Sequence, residues 1–135
     1  KFADMIQSYL AIMHKSRPQH QQTEIVEVVS DIEGRTCIVF DDMIDTAGSL
    51  CNAKKALVDR GANSDVYAAA THGIFSGDAI KTIKETAFKE VVVTDSLPID
   101  PKAFPGLHIL ETAPLLTEVV EHVVEGLSVT EIYRK

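Results

Sequence analysis

The sequence predicts an α/β domain in which a parallel sheet is flanked by helices. Two observations carry this reading. Strand-like and helix-like segments alternate along the chain, the order expected when parallel strands are joined by helical crossovers. Thr36–Phe40 (TCIVF) is a short continuous apolar run rather than an alternation of apolar and polar residues, the mark of a strand buried on both faces, and Val66–Ala70 reads as another buried strand.

Taken in order, Ala3–Gln7 reads as the end of a helix and Tyr9–Met13 as a short apolar strand. His14–Thr23 carries a proline and three glutamines and is expected to be a mobile polar loop. Glu24–Val29 is rich in β-formers and Asp31–Gly34 suits a turn. After the Thr36–Phe40 strand comes a loop, Asp41–Gly48, and then a helix, Ser49–Gly61, closed by a glycine just past Arg60. Val66–Ala70 leads into a loop containing Gly73 and Gly77, an amphipathic helix over Asp78–Thr86 and a strand over Glu90–Thr94. Ser96–Pro105 holds three of the five prolines and must be irregular. Leu107–Leu110 reads as a short strand. Ala113–Glu125 reads as a helix, with Pro114 in its first turn and Gly126 beyond its end.

Composition narrows the function without naming it. The 135 residues suit a single domain over 1–135, and 45% apolar with 24% charged residues is ordinary globular usage. Apolar runs fall short of a membrane span, and Asp4, Gln7 and Ser8 do not form a secretory leader, so a cytoplasmic chain with no membrane partner is expected. A net charge of −7 argues against a nucleic-acid partner. It leaves open a small anionic ligand, which backbone N–H groups can bind without net positive charge. Cys37 and Cys51 lack metal-ligand spacing and read as structural.

The strongest chemical signal is the junction Asp41-Asp42-Met43-Ile44-Asp45-Thr46-Ala47-Gly48-Ser49. Ligands of open parallel sheets sit beyond the carboxyl ends of the strands, where this loop falls. Thr46, Ala47, Gly48 and Ser49 offer a run of backbone N–H groups at a helix N-terminus, an anion site with the Thr46 and Ser49 hydroxyls as further donors. Gly48 would permit close approach of the phosphate. Asp41 and Asp42 suit hydroxyls or a divalent cation instead. Phosphate at one end and polyol at the other describe a sugar phosphate. Helix capping by Asp45 or Thr46 is the plainer alternative, but it leaves two adjacent acids unexplained.

This loop resembles the PRPP-binding loop of proteins with the type I phosphoribosyltransferase fold, and its form DDMIDTAGS is closest to the ribose-phosphate diphosphokinases (PRPP synthetases). Two further segments resemble that family: His14-Lys15-Ser16-Arg17-Pro18, similar to the Lys-x-Arg of its flexible catalytic loop, and Thr71-His72-Gly73-Ile74-Phe75-Ser76-Gly77. The tail Gly126–Tyr133 is similar to the family's C-terminus, where Ser128 and Tyr133 fall at positions of a regulatory nucleotide or phosphate site. The resemblance implies a phosphoribosyltransferase-type (Rossmann-like) fold, incomplete at its N-terminus, forming the C-terminal domain of a longer enzyme. That enzyme transfers diphosphate from ATP to the C1 hydroxyl of ribose 5-phosphate, giving PRPP and AMP with Mg2+. Thr46, Ala47, Gly48 and Ser49 would hold the 5-phosphate, with Asp45 ordering the loop. Asp41 and Asp42 would meet ribose hydroxyls directly or through metal and water, and Lys15 and Arg17 would stabilise the transferring group. A homo-oligomer is implied as well. The competing readings are a PRPP-consuming transferase and a non-catalytic, synthetase-like assembly subunit.

Overall fold

The computed structural model describes residues 2–16 and 25–134. Helix α1 (Phe2–Met5) is followed by strands β1 (Ile12–Ser16) and β2 (Ile25–Val29), which form a separate antiparallel ribbon. The main sheet contains β3 (Ile38–Ile44), β4 (Tyr67–Gly73), β5 (Val91–Thr94) and β6 (Leu107–Leu110), in that spatial order and all parallel. Helix α2 (Gly48–Asp59) links β3 to β4, and α3 (Ala79–Thr86) links β4 to β5. Helix α4 (Ala113–Val124) and a terminal 3-10 turn (Val129–Arg134) end the chain. The parallel α/β sheet expected from the sequence is therefore present. Among the described residues no helix is long and apolar enough to cross a membrane.

The core is one-sided. Along the ladder, Val39 pairs with Ala68, Ala68 with Val91, and Val91 with Leu107. This row, with Ala70 and Val93, packs against Leu50 of α2 and against Ala79 and Ile83 of α3. Small alanines on β4 let both helices lie close to the sheet, and burial of Ile44, Leu50, Ile83, Val91, Val93 and Phe104 supplies driving force there. The opposite row is open, with Ile38 47% and Phe40 51% exposed. The expectation that Thr36–Phe40 is buried on both faces is thus corrected: both crossover helices cover the same face, and β3 is an edge strand. Helix α4 forms where expected, yet none of its residues is buried and Val124 is 80% exposed despite its apolar composition.

Two polar anchors tie the helices to the sheet ends. Lys54 of α2 is only 9% exposed; its ammonium donates to the carbonyl of Ala87, 2.6 Å away, and lies over the Phe88 ring. Ala87 is the C-cap of α3, so the cation meets the negative end of that helix, while burial pulls the Lys54 pKa below its ordinary value. At the far edge, the Asp95 carboxylate accepts hydrogen bonds from the Thr112 N–H (2.9 Å) and hydroxyl (2.5 Å), fixing the entry to α4. These donors hold the Asp95 pKa below its ordinary 3.8. A carboxyl depressed in the folded state adds stability above the unfolded pKa, and that stability is lost as pH falls through the folded value. Asp95→Asn is expected to lower the Tm at pH 7 and to reduce the further loss of Tm between about pH 5 and pH 3. Thermal melts across that range check this, and an acid limb as steep as wild type would contradict it.

Candidate functional site

The loop singled out in the sequence lies at the carboxyl end of β3, as the parallel topology requires. Strand β3 runs further than the sequence suggested: residues 41–44 continue the ladder, with Asp41 opposite Ala70 and Ile44 opposite Gly73. The loop proper is thereby cut to Asp45, Thr46 and Ala47. Polar side chains did not stop the strand because β4 supplies backbone partners along the whole segment. Residues 41–50 line a cavity of about 260 Å³ at this end of the sheet.

Ala47 is the N-cap of α2, with φ 64° and ψ 0°. This left-handed turn costs a non-glycine residue about 1–2 kcal/mol. It is held because the Ala47 methyl is buried in the core beside Ile44 and Leu50. A left-handed residue followed by helical ones is the backbone pattern from which an anion-binding nest is built. By helix geometry the first-turn N–H groups of α2 have no acceptor within the helix. The plainer reading of Asp45 or Thr46 as helix caps is not what forms, for the cap position falls on Ala47. Gly48 begins the helix without a left-handed φ, and a methyl group there would meet only the Thr46 hydroxyl at 3.9 Å. Its value is open space toward the cavity, not backbone freedom.

The Asp45 carboxylate is instead engaged from behind. The Ser76 hydroxyl donates to it, and the Ser76 N–H donates to the Asp45 carbonyl at 3.1 Å. Ile74 and Phe75 both donate their N–H groups to the Ile44 carbonyl, at 3.0 Å each. The turn after β4 thus grips the turn after β3. Phe75, at φ 51°, folds its ring back against Phe104 in a T-shaped contact with centroids 5.7 Å apart. Gly73, buried beneath it, is needed for room: a Cβ there would lie 2.5 Å from the Phe75 ring. Phe75 is half-buried and packs against the core cluster. His72 is not inert either, since its Nδ1 lies 2.9 Å from the Ser96 hydroxyl, which also reaches the Thr71 carbonyl. Ser76 was not singled out from sequence; its place in the Thr71–Gly77 motif was the available signal.

Asp41 and Asp42 are adjacent on a strand, so their side chains leave opposite faces. Asp41 also accepts the Asp42 N–H at 2.9 Å. Such a pair cannot chelate one ion jointly, and among the described residues no group of three or more His, Cys, Asp or Glu could hold a metal. The donor set fits a Mg2+ that takes a single carboxylate together with ligand oxygens and water, the usual habit of that ion.

Of the remaining predicted residues, those described stand on other elements. Lys15 sits in β1, paired with Val26, so the expected loop over His14–Thr23 is corrected at its start: residues 14–16 are strand, because β2 offers them a ladder. Arg17 lies outside the described residues. Ser128 precedes the terminal turn, where its carbonyl accepts a hydrogen bond from His122 Nδ1 at 3.0 Å. Tyr133 is exposed, and the neighbouring Ile132 is the buried anchor of that turn.

Residues 4–134 match the phosphoribosyl synthetase-associated domain. The chain is 41% identical over 133 residues to a ribose-phosphate pyrophosphokinase of Caldanaerobacter subterraneus subsp. tengcongensis, covering 98% of this chain and 42% of that protein. It is 39% identical over 134 residues to the ribose-phosphate pyrophosphokinase of Clostridium tetani, with the same coverages. The crystal structure of phosphoribosylpyrophosphate synthetase from Mycobacterium smegmatis superposes with a TM-score of 0.79 at 41% identity, over 93% of this chain and 40% of that one. The chain thus spans about two-fifths of the length of these relatives. With this match over nearly the whole chain and a fold shared at this level of identity, the chain belongs to the phosphoribosyl synthetase-associated domain family.

Proposed function

We propose that this chain is the ribose-5-phosphate-binding, C-terminal domain of a cytoplasmic ribose-phosphate diphosphokinase. In the proposed reaction the C1 hydroxyl oxygen of ribose 5-phosphate bonds to the β-phosphorus of ATP. The bond from that phosphorus to the oxygen it shares with the α-phosphate breaks, AMP leaves, and the hydroxyl proton is released. Such transfer depends chiefly on positioning and on charge stabilisation. The observation that carries the reading is the nest at the end of β3, opening on a cavity of about 260 Å³ with carboxylates at its far end.

The residues divide the work by charge. Thr46, Ala47, Gly48 and Ser49 hold the dianionic 5-phosphate on backbone N–H groups and hydroxyls, where the dipole of α2 adds to the attraction. Asp41 and Asp42 repel phosphate and so orient the sugar, one accepting from ribose hydroxyls directly and the other, on the opposite face, through water or metal. Mg2+, when bound, neutralises charge on the transferring diphosphate. Lys15 and Arg17 offset the same charge. The names of the relatives favour this synthetase reading over a PRPP-consuming transferase. The uncovered apolar residues of β3 and α4 suit a unit that works inside a larger protein or assembly.

The test is calorimetric titration of ribose 5-phosphate, with and without Mg2+, into wild type and an Asp45→Ala, Thr46→Val variant. Saturable, weak binding by wild type is expected, lost in the variant, with no AMP formed by this chain alone. Equal binding by both proteins would remove the phosphate from this loop.

A further inference from the structure

An aspartate just before a helix ordinarily turns its carboxylate onto the amides two and three residues further on. For Asp45 those amides belong to Ala47 and Gly48, in the nest itself. A carboxylate there would occupy the anion site and repel any incoming phosphate. The structure shows a different arrangement. The cap position of α2 falls on Ala47, and the Asp45 carboxylate is drawn the other way, onto the Ser76 hydroxyl.

Ser76 is well placed to hold it. Its N–H donates to the Asp45 carbonyl, and its own carbonyl accepts the Ala79 N–H at 3.2 Å, fixing it to the first turn of α3. The preceding residues, Ile74 and Phe75, are bonded to Ile44, the residue before Asp45. Phe75 is seated on Phe104 in the core. The backbone of this turn therefore stays in place whatever stands at position 76, and the hydroxyl alone decides where the Asp45 carboxylate goes.

We infer that Ser76 is a positioning residue that restrains Asp45 from capping α2, so that the nest stays open to an anion. The inference rests on the sugar-phosphate reading for its ligand, but the restraint can be measured without one. In Ser76→Ala the carboxylate is released and becomes a competitive internal ligand of the nest. Two effects follow that part company: affinity for phosphate ligands falls, while the bonds Asp45 gains to the Ala47 and Gly48 amides replace the one it loses to Ser76 and the fold stays about as stable as wild type. A merely structural serine would lower both together.

The experiment records amide 15N–1H spectra of wild type, Ser76→Ala and Ser76→Thr without ligand, then with inorganic phosphate and with ribose 5-phosphate. The Ala47 and Gly48 amide signals are expected to move in Ser76→Ala and to stay near wild type in Ser76→Thr, whose hydroxyl restores the restraint. Ribose 5-phosphate affinity is expected to fall about tenfold in Ser76→Ala, the order of one charge-assisted hydrogen bond, and to recover in Ser76→Thr. Unchanged Ala47 and Gly48 amides in ligand-free Ser76→Ala would overturn the restraint. Wild-type amides that respond to neither phosphate nor ribose 5-phosphate would overturn the sugar-phosphate reading, with the ligand-free comparison still judging the restraint.

Discussion

Gly73→Val is expected to lower the unfolding free energy by about 2–4 kcal/mol, the sum of overpacking and of a displaced aromatic pair. The position looks permissive in sequence, a glycine among turn residues, yet its backbone is ordinary strand paired with Ile44. The constraint is volume. A Cβ would lie 2.5 Å from the Phe75 ring and 3.2 Å from both Val93 methyl groups, and Val93 is fully buried. The ring cannot swing away cheaply because it is already packed edge-on against Phe104. Because Phe75 donates to the Ile44 carbonyl, the disturbance also reaches the nest, so ligand affinity should fall with stability. Urea unfolding followed by circular dichroism checks this. A change below about 0.5 kcal/mol, typical of a neutral surface substitution, would show that the Phe75 seat is not rigid.

The same motif shows where sequence reading stops. The alternation of elements, the α2 and α3 helices and the short β5 and β6 strands were legible, because each rests on local apolar periodicity and on punctuation by Gly or Pro. Strand limits were not. Residues 14–16 and 41–44 read as loop from their charges, but a neighbouring strand supplies hydrogen-bond partners to a backbone regardless of its side chains. Burial was misread for β3, since an apolar run such as Ile38–Phe40 does not say whether both faces are covered. In the site, the run of donors and the paired acids were visible from residue types and spacing. The left-handed turn at Ala47 and the Asp45–Ser76 hydrogen bond were not. Nothing local favours a positive φ at alanine, and Ser76 lies 31 residues from Asp45.

Gly48→Ala separates fold from function most sharply. Gly48 is the first residue of α2, its φ is one any residue adopts, and the added methyl would meet only the Thr46 hydroxyl at an ordinary contact distance. Alanine is also the better helix former, so stability should be unchanged or higher by a few tenths of a kcal/mol. The methyl nevertheless stands on the wall of the cavity where phosphate oxygens must come within hydrogen-bond distance, about 2.9 Å, of backbone N–H groups. It would push the anion outward and lengthen several of those bonds at once. Ribose 5-phosphate affinity is therefore expected to fall at least tenfold, with about 1.4 kcal/mol for each tenfold loss. Calorimetry and thermal melts on the same variant give both halves of the result. Wild-type affinity at unchanged Tm would put the phosphate on the Thr46 side of the loop, away from the helix start. Lost affinity at unchanged Tm would fix it against the first turn of α2, where backbone N–H groups and the helix dipole supply positive potential.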